Sequence, residues 1–387
     1  MQGQQTVAAS NYQTSFQDWR GQTGDFQSWQ GTGIMLSPAG EVLVDPQTAQ
    51  REDDPYGPRG YRGKNFYNGS TYWVGEFLSP EITAPFPFVG ALVSWNAETP
   101  AGTWMETLIR AQYQGRWTPW YNLGVWAADT STIERHSVAD QEDADAEVYT
   151  DLLVLKDEAG SRTYQVKIRL FSTSPAQSPR LQRVGVALST IPEEPQTLLA
   201  GDPQQWGQRL DVSGCSQMVY PDGGEVWCSP TSVAMVLRYW QQRTGVCEPN
   251  VRTVVEGVYD WVYEGHGNWV FNTAYSGSQN FPSVVARFNA LAQLEPWITA
   301  GVPVVISFAW KEGELEGVAI PKSAGHLAVL IGFDAQGNPI VNDPAAASDT
   351  EVERIYPRQQ LEKLWIKYSG GTVYLIHPSN WTVPSLV

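Results

Sequence analysis

Basic residues are scarce in this sequence of 387 residues. It contains 25 Lys and Arg against 41 Asp and Glu, which gives a formal net charge of −16 at pH 7. Nucleic acids and anionic membrane surfaces are bound through clustered Lys and Arg, so this balance argues against both kinds of partner. No stretch of about 18 apolar residues occurs either, so we expect no insertion into a membrane.

Cysteine and histidine are rare, so candidates for nucleophilic or acid–base chemistry are few. The chain has three cysteines and four histidines. They are Cys215, Cys228, Cys247, His136, His266, His326 and His377. An odd number of cysteines leaves at least one thiol unpaired in an exported protein. The first question is therefore which thiol is free, and why.

The composition is that of a globular chain, with 42% apolar and 17% charged residues. Low Lys together with abundant Trp, Gly, Gln and Ser is typical of extracellular proteins. The given sequence shows no signal-peptide pattern, and its polar start fits the mature end of an exported protein behind an added Met. We therefore expect an extracellular or cell-envelope location.

The length suggests two or three domains, and changes in pattern divide the chain into four parts. Residues 1–30 are polar and Gln-rich, with aromatic residues spaced through them, and we interpret them as an irregular N-terminal arm. Residues 31–190 have an all-β pattern. Residues 191–208 are rich in Pro, Glu and Gln without a period, which predicts a linker. Residues 209–387 form the second predicted domain.

Alternation of apolar and polar residues dominates residues 31–190. It is clearest in Thr163–Phe171 and Thr103–Tyr113. Shorter strands are predicted at Ile34–Val44, Thr71–Leu78, Phe88–Trp95, Asp151–Leu155 and Val184–Leu188. Many short strands separated by turn residues predict a β-sandwich, which we expect to be jelly-roll-like. The tryptophan pairs Trp95/Trp104 and Trp117/Trp120 either pack in its core or stack on sugars or peptides.

The pattern of the second domain begins with a helix, Ser229–Gln242. Its apolar residues recur at helical spacing: Val233, Val236, Leu237 and Trp240. Further predicted helices are Pro282–Leu294 and Gln359–Tyr368, and the predicted strands are Val302–Ala309, His326–Phe333, Pro339–Asp343 and Gly371–His377. Helices followed by an antiparallel sheet indicate an α+β domain.

Cys228 stands at the beginning of the first of these helices. Pro230 fits the first helical turn, which places Cys228 at or just before the N-cap. The helix dipole and the unpaired N–H groups at that end stabilise a thiolate. A buried core cysteine is the alternative, but core packing gives no reason for a cysteine to begin a helix. We interpret Cys228 as a candidate nucleophile.

His326 and Asp343 are the candidate base and its orienter. His326 follows a glycine and begins a predicted strand, and Asp343 ends the next one. A short loop containing Gly337 joins the two strands, so a hairpin would place both residues at its open end. A carboxylate there can accept a hydrogen bond from the imidazole and fix its tautomer. Asn342 is the competing orienter; it points to the opposite face, so only one of the two can serve.

This order of residues resembles the papain-like cysteine peptidase superfamily. It is most similar to the bacteriocin-leader (double-glycine) peptidases and their stand-alone secreted bacterial relatives. The resemblance covers about residues 210–378 and is carried by the segments SQMVYPDGGEVWCSPTSVAMVLRYW, GHLAVLIGF and IVNDPAA. It implies a papain-like α+β fold and a Gln before the Cys that contributes to an oxyanion hole. Gln217 matches that Gln, and its amide with the Cys228 N–H would supply the donors that an oxyanion requires. A turn Gln bonded to the backbone is the alternative.

The resemblance implies a thiol hydrolase that cleaves peptide bonds through a Cys-His-Asp triad and a thioester. Its substrate would be a peptide or protein, and no metal or cofactor is needed. The β domain has no equivalent in the leader peptidases, and we expect it to bind substrate or a cell-surface polymer. Two alternatives stay open: a glycan- or peptide-binding surface protein with an inert papain-like domain, and a cell-wall amidase or transamidase.

Cys215 and Cys247 flank the nucleophile in sequence. A disulfide between them would explain the odd cysteine count and would add roughly 3–4 kcal/mol to stability. It would also imply an oxidising compartment. Two unrelated buried thiols are the alternative.

Overall fold

The computed structural model describes residues 11–192, 198–245 and 250–386. Two antiparallel sheets are built from the first half of the chain, and a third sheet with helices is built from the second half. The predicted two-domain architecture, with a β-rich domain first, is therefore confirmed. In the described part of the chain, no helix is long and apolar enough to cross a membrane.

The first domain consists of strands joined by short turns. They are β1 (Thr14–Arg20), β2 (Gln30–Thr32), β3 (Ile34–Leu36), β4 (Val42–Val44), β5 (Gln50–Asp53), β6 (Thr71–Leu78), β7 (Ile82–Phe88), β8 (Gly90–Glu98), β9 (Thr103–Tyr113), β10 (Arg116–Trp117), β11 (Tyr121–Trp126), β12 (Ala146–Tyr149), β13 (Leu152–Leu155), β14 (Ser161–Ser172) and β15 (Arg180–Ser189). One sheet has the order β12-β13-β8-β15-β4-β3, with β1 also on β15. The other has the order β10-β9-β14-β6-β2, with β11, β5 and β7 on β9, β6 and β14.

Two predictions for this domain are corrected. The segment Ile34–Val44 is not one strand, because Pro38 and Gly40, which has a φ of 81°, form a turn between β3 and β4. The N-terminal arm is not irregular over Thr14–Arg20, since β1 pairs along its whole length with β15. Residues 1–10 of the arm lie outside the described residues.

The predicted linker is only partly described, because residues 193–197 fall outside the described ranges. The part that follows them is attached to the second domain. The backbone N–H of Asp202 and the indole N–H of Trp206 donate to the Glu295 carboxylate at 2.7 and 2.8 Å. These bonds fix the approach of the chain to the second domain.

The second domain places helices around one antiparallel sheet. Its elements are β16 (Gln208–Arg209), α1 (Cys228–Thr244), α2 (Val251–Val258), α3 (Trp269–Ser278), β17 (Ser283–Arg287), α4 (Glu295–Thr299), β18 (Val304–Trp310), β19 (Ser323–Phe333), β20 (Pro339–Asn342), β21 (Glu353–Ile355), α5 (Arg358–Ser369) and β22 (Thr372–Ile376). The strand order is β17-β22-β18-β19-β20-β21, with β16 on β19. The Ser232 hydroxyl donates to the Leu327 carbonyl at 3.1 Å and attaches α1 to the middle of this sheet.

The predicted helix Pro282–Leu294 is wrong. Its first half is strand β17, which pairs with β22 and is buried at every position. A strand buried on both faces has no alternation, so its apolar spacing resembles that of a buried helix. Helix α3 was not predicted, although Asn268 is a recognisable N-cap whose side chain accepts from the Phe271 N–H.

The two domains share a buried, hydrogen-bonded contact along α3 and β17. The Asn96 amide group donates to the Ser283 carbonyl at 2.8 Å and accepts from its N–H at 3.1 Å. The Arg287 guanidinium donates to the Ser189 hydroxyl at 2.8 Å. Phe271 of α3 packs its ring on Trp95, with centroids 6.3 Å apart. This contact holds the first domain beside the end of the second domain where Cys228 lies.

Candidate active site

Cys228 is the first residue of α1, one position earlier than the predicted helix start, and its side chain is partly exposed. Trp227 is the N-cap residue, and its side chain makes no capping hydrogen bond to the helix N–H groups. The Ser229 hydroxyl lies 3.0 Å from the Tyr374 hydroxyl of β22. The first turn of α1 is therefore fixed to the sheet while the thiol stays accessible.

The structure brings His326 and Asp343 together. Nε2 of His326 lies 2.8 Å from Oδ1 of Asp343, and both side chains are almost fully buried. His326 lies inside β19, which begins at Ser323, and Asp343 directly follows β20. Cys228 interacts with the same imidazole. Since Nε2 is bonded to the carboxylate, Nδ1 is the nitrogen left for the thiol.

The Asp343 carboxylate is held in its ionised form. Burial alone favours the neutral acid, but the His326 charge and the hydrogen bonds outweigh it, so the net pKa lies below its ordinary value. Oδ2 accepts from the Tyr356 hydroxyl at 2.5 Å, and Oδ1 accepts from the Ala345 N–H at 2.8 Å. Nothing in the sequence pattern singled out Tyr356, which follows a separate strand.

The His326 ring is enclosed by aromatic residues. Phe308 and Trp310 meet it edge-on, with ring centroids 5.4 and 5.3 Å away. Burial lowers the pKa of His326, but Asp343 and Cys228 raise it by more, so the net shift is upward. The arrangement favours the imidazolium form of His326 next to Cys228.

Gln217 lines the same groove as Cys228 and His326, and it is buried. Its Nε2 donates to the Gly224 carbonyl at 2.8 Å, and its Oε1 has no hydrogen-bond partner among the described residues. The bond to Gly224 is the backbone contact that the sequence left open as an alternative. It occupies one of the two amide hydrogens and fixes the amide plane, and the second hydrogen remains.

The competing candidates are engaged elsewhere. Asn342 donates to the Val212 carbonyl at 2.9 Å. His136 bonds the Phe66 and Ser137 carbonyls, and His377 bonds the Pro378 carbonyl. His266 does line the groove, where burial lowers its pKa to about 4, so it is neutral at physiological pH.

Cys228 and His326 open into a groove of about 740 Å³. One wall is the loop before α3, which includes Gly265 and His266. Another wall comes from the first domain, in the turn Tyr149–Leu152. No sequence pattern connects that turn with the site, because the two are far apart along the chain.

Of the two remaining cysteines, Cys215 lies among the described residues. Cys215 is a buried free thiol, and burial raises its pKa. The bridge from Cys215 to Cys247 stays a prediction. Cys247 itself lies outside the described residues.

Comparison with known families agrees with this architecture. Residues 15–189 match the family model described as the peptidase C39 N-terminal domain, and residues 209–373 match the peptidase C39 like family. The chain is therefore related to the papain-like cysteine peptidase superfamily, as its resemblance predicted. Within that superfamily its second domain is a C39-like domain, and a β-rich domain precedes it.

Two solved structures are similar to parts of the chain. One, described as a C39-like peptidase from Bacillus anthracis, is 20% identical over 45% of this chain and 99% of its own, with a TM-score of 0.32. The other comes from work on carbohydrate-binding modules of the β-sandwich superfamily and is 9% identical over 48% of this chain and 57% of its own, with a TM-score of 0.17. Both scores are too low to carry a conclusion. No curated protein matches the chain significantly.

Proposed function

We propose that this protein is a cysteine peptidase that cleaves peptide bonds with Cys228, His326 and Asp343. The observation that carries the proposal is the buried 2.8 Å hydrogen bond between His326 and Asp343 beside a thiol at a helix start. A base oriented by a third group next to a nucleophile is the arrangement that nucleophilic catalysis requires. The relationship to C39-like peptidases supports the same chemistry.

The reaction has two halves. The Cys228 thiolate adds to the carbonyl carbon, and the His326 imidazolium gives its proton to the leaving nitrogen as the C–N bond breaks. The acyl group is then a thioester on Cys228. Water adds to this thioester, its proton passes to the imidazole, and the C–S bond breaks. The acid product leaves, and the thiolate–imidazolium pair is restored.

The negative oxygen of each tetrahedral intermediate needs donors that are already in place. The Cys228 backbone N–H is one, because N–H groups in the first turn of a helix have no partner within the helix. The free Nε2 hydrogen of Gln217 is the other. Its bond to the Gly224 carbonyl restricts rotation of the amide, so the donor needs no reorganisation when charge develops.

The charges of the groove indicate which peptides fit. Glu225 and Glu264 are exposed on its rim, and no Lys or Arg is present among the described residues that line it. Neutral or basic segments are therefore favoured over acidic ones. A cell-wall amidase or transamidase would use the same three residues, so substrate profiling separates these activities.

The test is peptide profiling with the purified protein. A peptide library incubated with the protein should show new termini by mass spectrometry, and Cys228→Ala should abolish them. Cys215→Ala is the matched control, because it removes a buried thiol outside the groove and should keep the cleavage pattern. If no peptide is cleaved, yet cell-wall amides are, the amidase reading replaces this one. An inert domain would cleave neither.

We further propose that the first domain is a jelly-roll-like sandwich that holds a cell-surface polymer outside the cell of a bacterium. Arg110 lies between Trp117 and Trp120, 4.4 and 4.5 Å from their ring centroids, on partly exposed surface. Such rings stack on sugars. The full chain should sediment with purified peptidoglycan, and Trp117→Ala with Trp120→Ala should release it. Equal sedimentation of this variant would contradict the role.

A further inference from the structure

A turn of the first domain reaches the groove of the second. Strands β12 and β13 are joined by Thr150 and Asp151, and residues 149–152 line the groove with Cys228 and His326. Thr150 adopts a left-handed φ of 60°, which is unusual for a β-branched residue. Such conformations persist only where the surrounding structure enforces them, and they concentrate at functional sites.

Tyr149 lies in the lining of the groove and is largely exposed. Its side chain is 55% exposed, and its hydroxyl donates to Glu147 at 2.5 Å, a neighbour on the same strand. Tyr263, on the loop before α3, lines the same groove and is 49% exposed. The groove is therefore bordered by exposed tyrosines from both domains, and exposed rings in a groove are typical of contact surfaces.

Asp151 fastens this turn to the second domain. Its side chain is 4% exposed, and Oδ2 accepts from the Val270 N–H at 3.0 Å, in the first turn of α3. Tyr263 interacts electrostatically with both Asp151 and Cys228, which places the turn, the loop and the nucleophile in one neighbourhood. The carboxyl group thus joins the wall from the first domain to the wall from the second.

We propose that the first domain is part of the substrate-binding site, with Tyr149 contacting an apolar or aromatic side chain of the bound peptide. Asp151 is a positioning residue that holds the Tyr149 turn against α3. The choice of a peptide as the ligand rests on the peptidase function proposed above. The test measures binding alone, so it does not require that the protein cleaves the peptide. The first domain then selects the peptide that reaches Cys228, in addition to any role in attachment.

The test measures peptide binding without cleavage. In a full-length Cys228→Ala background, a labelled library of eight-residue peptides is screened by fluorescence anisotropy. Adding Tyr149→Ala should raise the Kd of peptides with an aromatic or large apolar side chain roughly 3- to 10-fold, the value of one aromatic contact. Peptides of Gly and Ser should change little. Tyr56→Ala is the matched control, since Tyr56 is 43% exposed in the same domain but does not line the groove.

Asp151 is tested by the same assay with two variants. Asp151→Ala should weaken binding of the same peptides, and Asp151→Asn should restore it, because an amide oxygen can accept from the Val270 N–H. Unchanged Kd values in Tyr149→Ala, or a library that does not bind at all, would overturn the proposal. Tyr149-dependent binding by a protein that cleaves nothing would sustain it while refuting the peptidase function.

Discussion

His326 Nε2 and Asp343 Oδ1 are 2.8 Å apart inside the protein, although the two residues are separated by 17 positions in the chain. His326 lies in strand β19, Asp343 directly follows β20, and these two strands pair antiparallel. The hairpin therefore sets the orientation of the imidazole, and its carboxylate keeps the proton on Nε2.

Replacing the orienter should reduce cleavage without preventing folding. Asp343→Asn keeps the shape of the side chain but stabilises the wrong imidazole tautomer, so kcat should fall by on the order of 100-fold or more. Steady-state kinetics on a cleaved peptide measure this. Glu353→Gln on the neighbouring strand β21 is the control, because its carboxylate is 42% exposed and lies outside the groove. A full rate in Asp343→Asn would remove Asp343 from the mechanism.

The nucleophile should react as a thiolate at mildly acidic pH. Ordinary thiols, with a pKa of about 8.5, alkylate slowly there. Iodoacetamide should label Cys228 at pH 6, and peptide mapping should find buried Cys215 unlabelled in the folded protein. His326→Ala should restore ordinary pH dependence, because the imidazolium is lost. Equal labelling of wild type and this variant across pH would show that the two side chains are not coupled.

Tyr356 should help to set the lowest pH at which the protein is active. Its hydroxyl donates to Asp343 and helps to lower the pKa of that carboxyl. Tyr356→Phe removes this donor, so the pKa of Asp343 should rise. As the pH is lowered, the variant should therefore lose activity at a less acidic pH than the wild type. The hydrogen bond to a charged group should also contribute about 1.5–3 kcal/mol to stability. A pH–rate profile and urea unfolding measure the two effects. Tyr56→Phe, at an exposed position outside the groove, should change neither.

Asp151 should make stability depend on pH below neutrality. Burial raises its pKa from 3.8 to about 7, against the backbone N–H groups that lower it. The folded state then binds a proton that the unfolded state releases, so unfolding free energy should fall as pH rises from about 4 to 7. A shift of this size corresponds to at most about 4 kcal/mol.

The control for this pH effect is Asp151→Asn. Its unfolding free energy should no longer include the fall with rising pH that Asp151 causes. Glu362, whose pKa burial also raises to about 7, gives the protein a second contribution of the same sign. The unfolding free energy of the Asn variant should therefore still fall as the pH rises, but less steeply. The unfolding free energies of both proteins are measured with urea at a series of pH values. An identical dependence on pH would contradict a buried, protonated Asp151.

Much of the site could be predicted because its signals are local. The helix start at Cys228, the glycine before His326 and the aspartate that closes the next strand each leave a pattern within a few residues. Strands that alternate, such as β9 and β14, were equally readable because one face of each is buried. The failures lie where tertiary burial replaces periodicity, as in β17, whose two faces are both covered.

The sequence by itself determined the class of chemistry: a thiol at a helix start, a base at a strand and a carboxylate at a hairpin end are encoded by neighbouring residues and short loops. Only the tertiary structure decided what surrounds them. Tyr356 reaches Asp343, and the turn at Tyr149 reaches the groove, because separate strands and separate domains pack together. Such contacts join residues with no periodic or sequential relation, since packing depends on the shape and burial of whole surfaces.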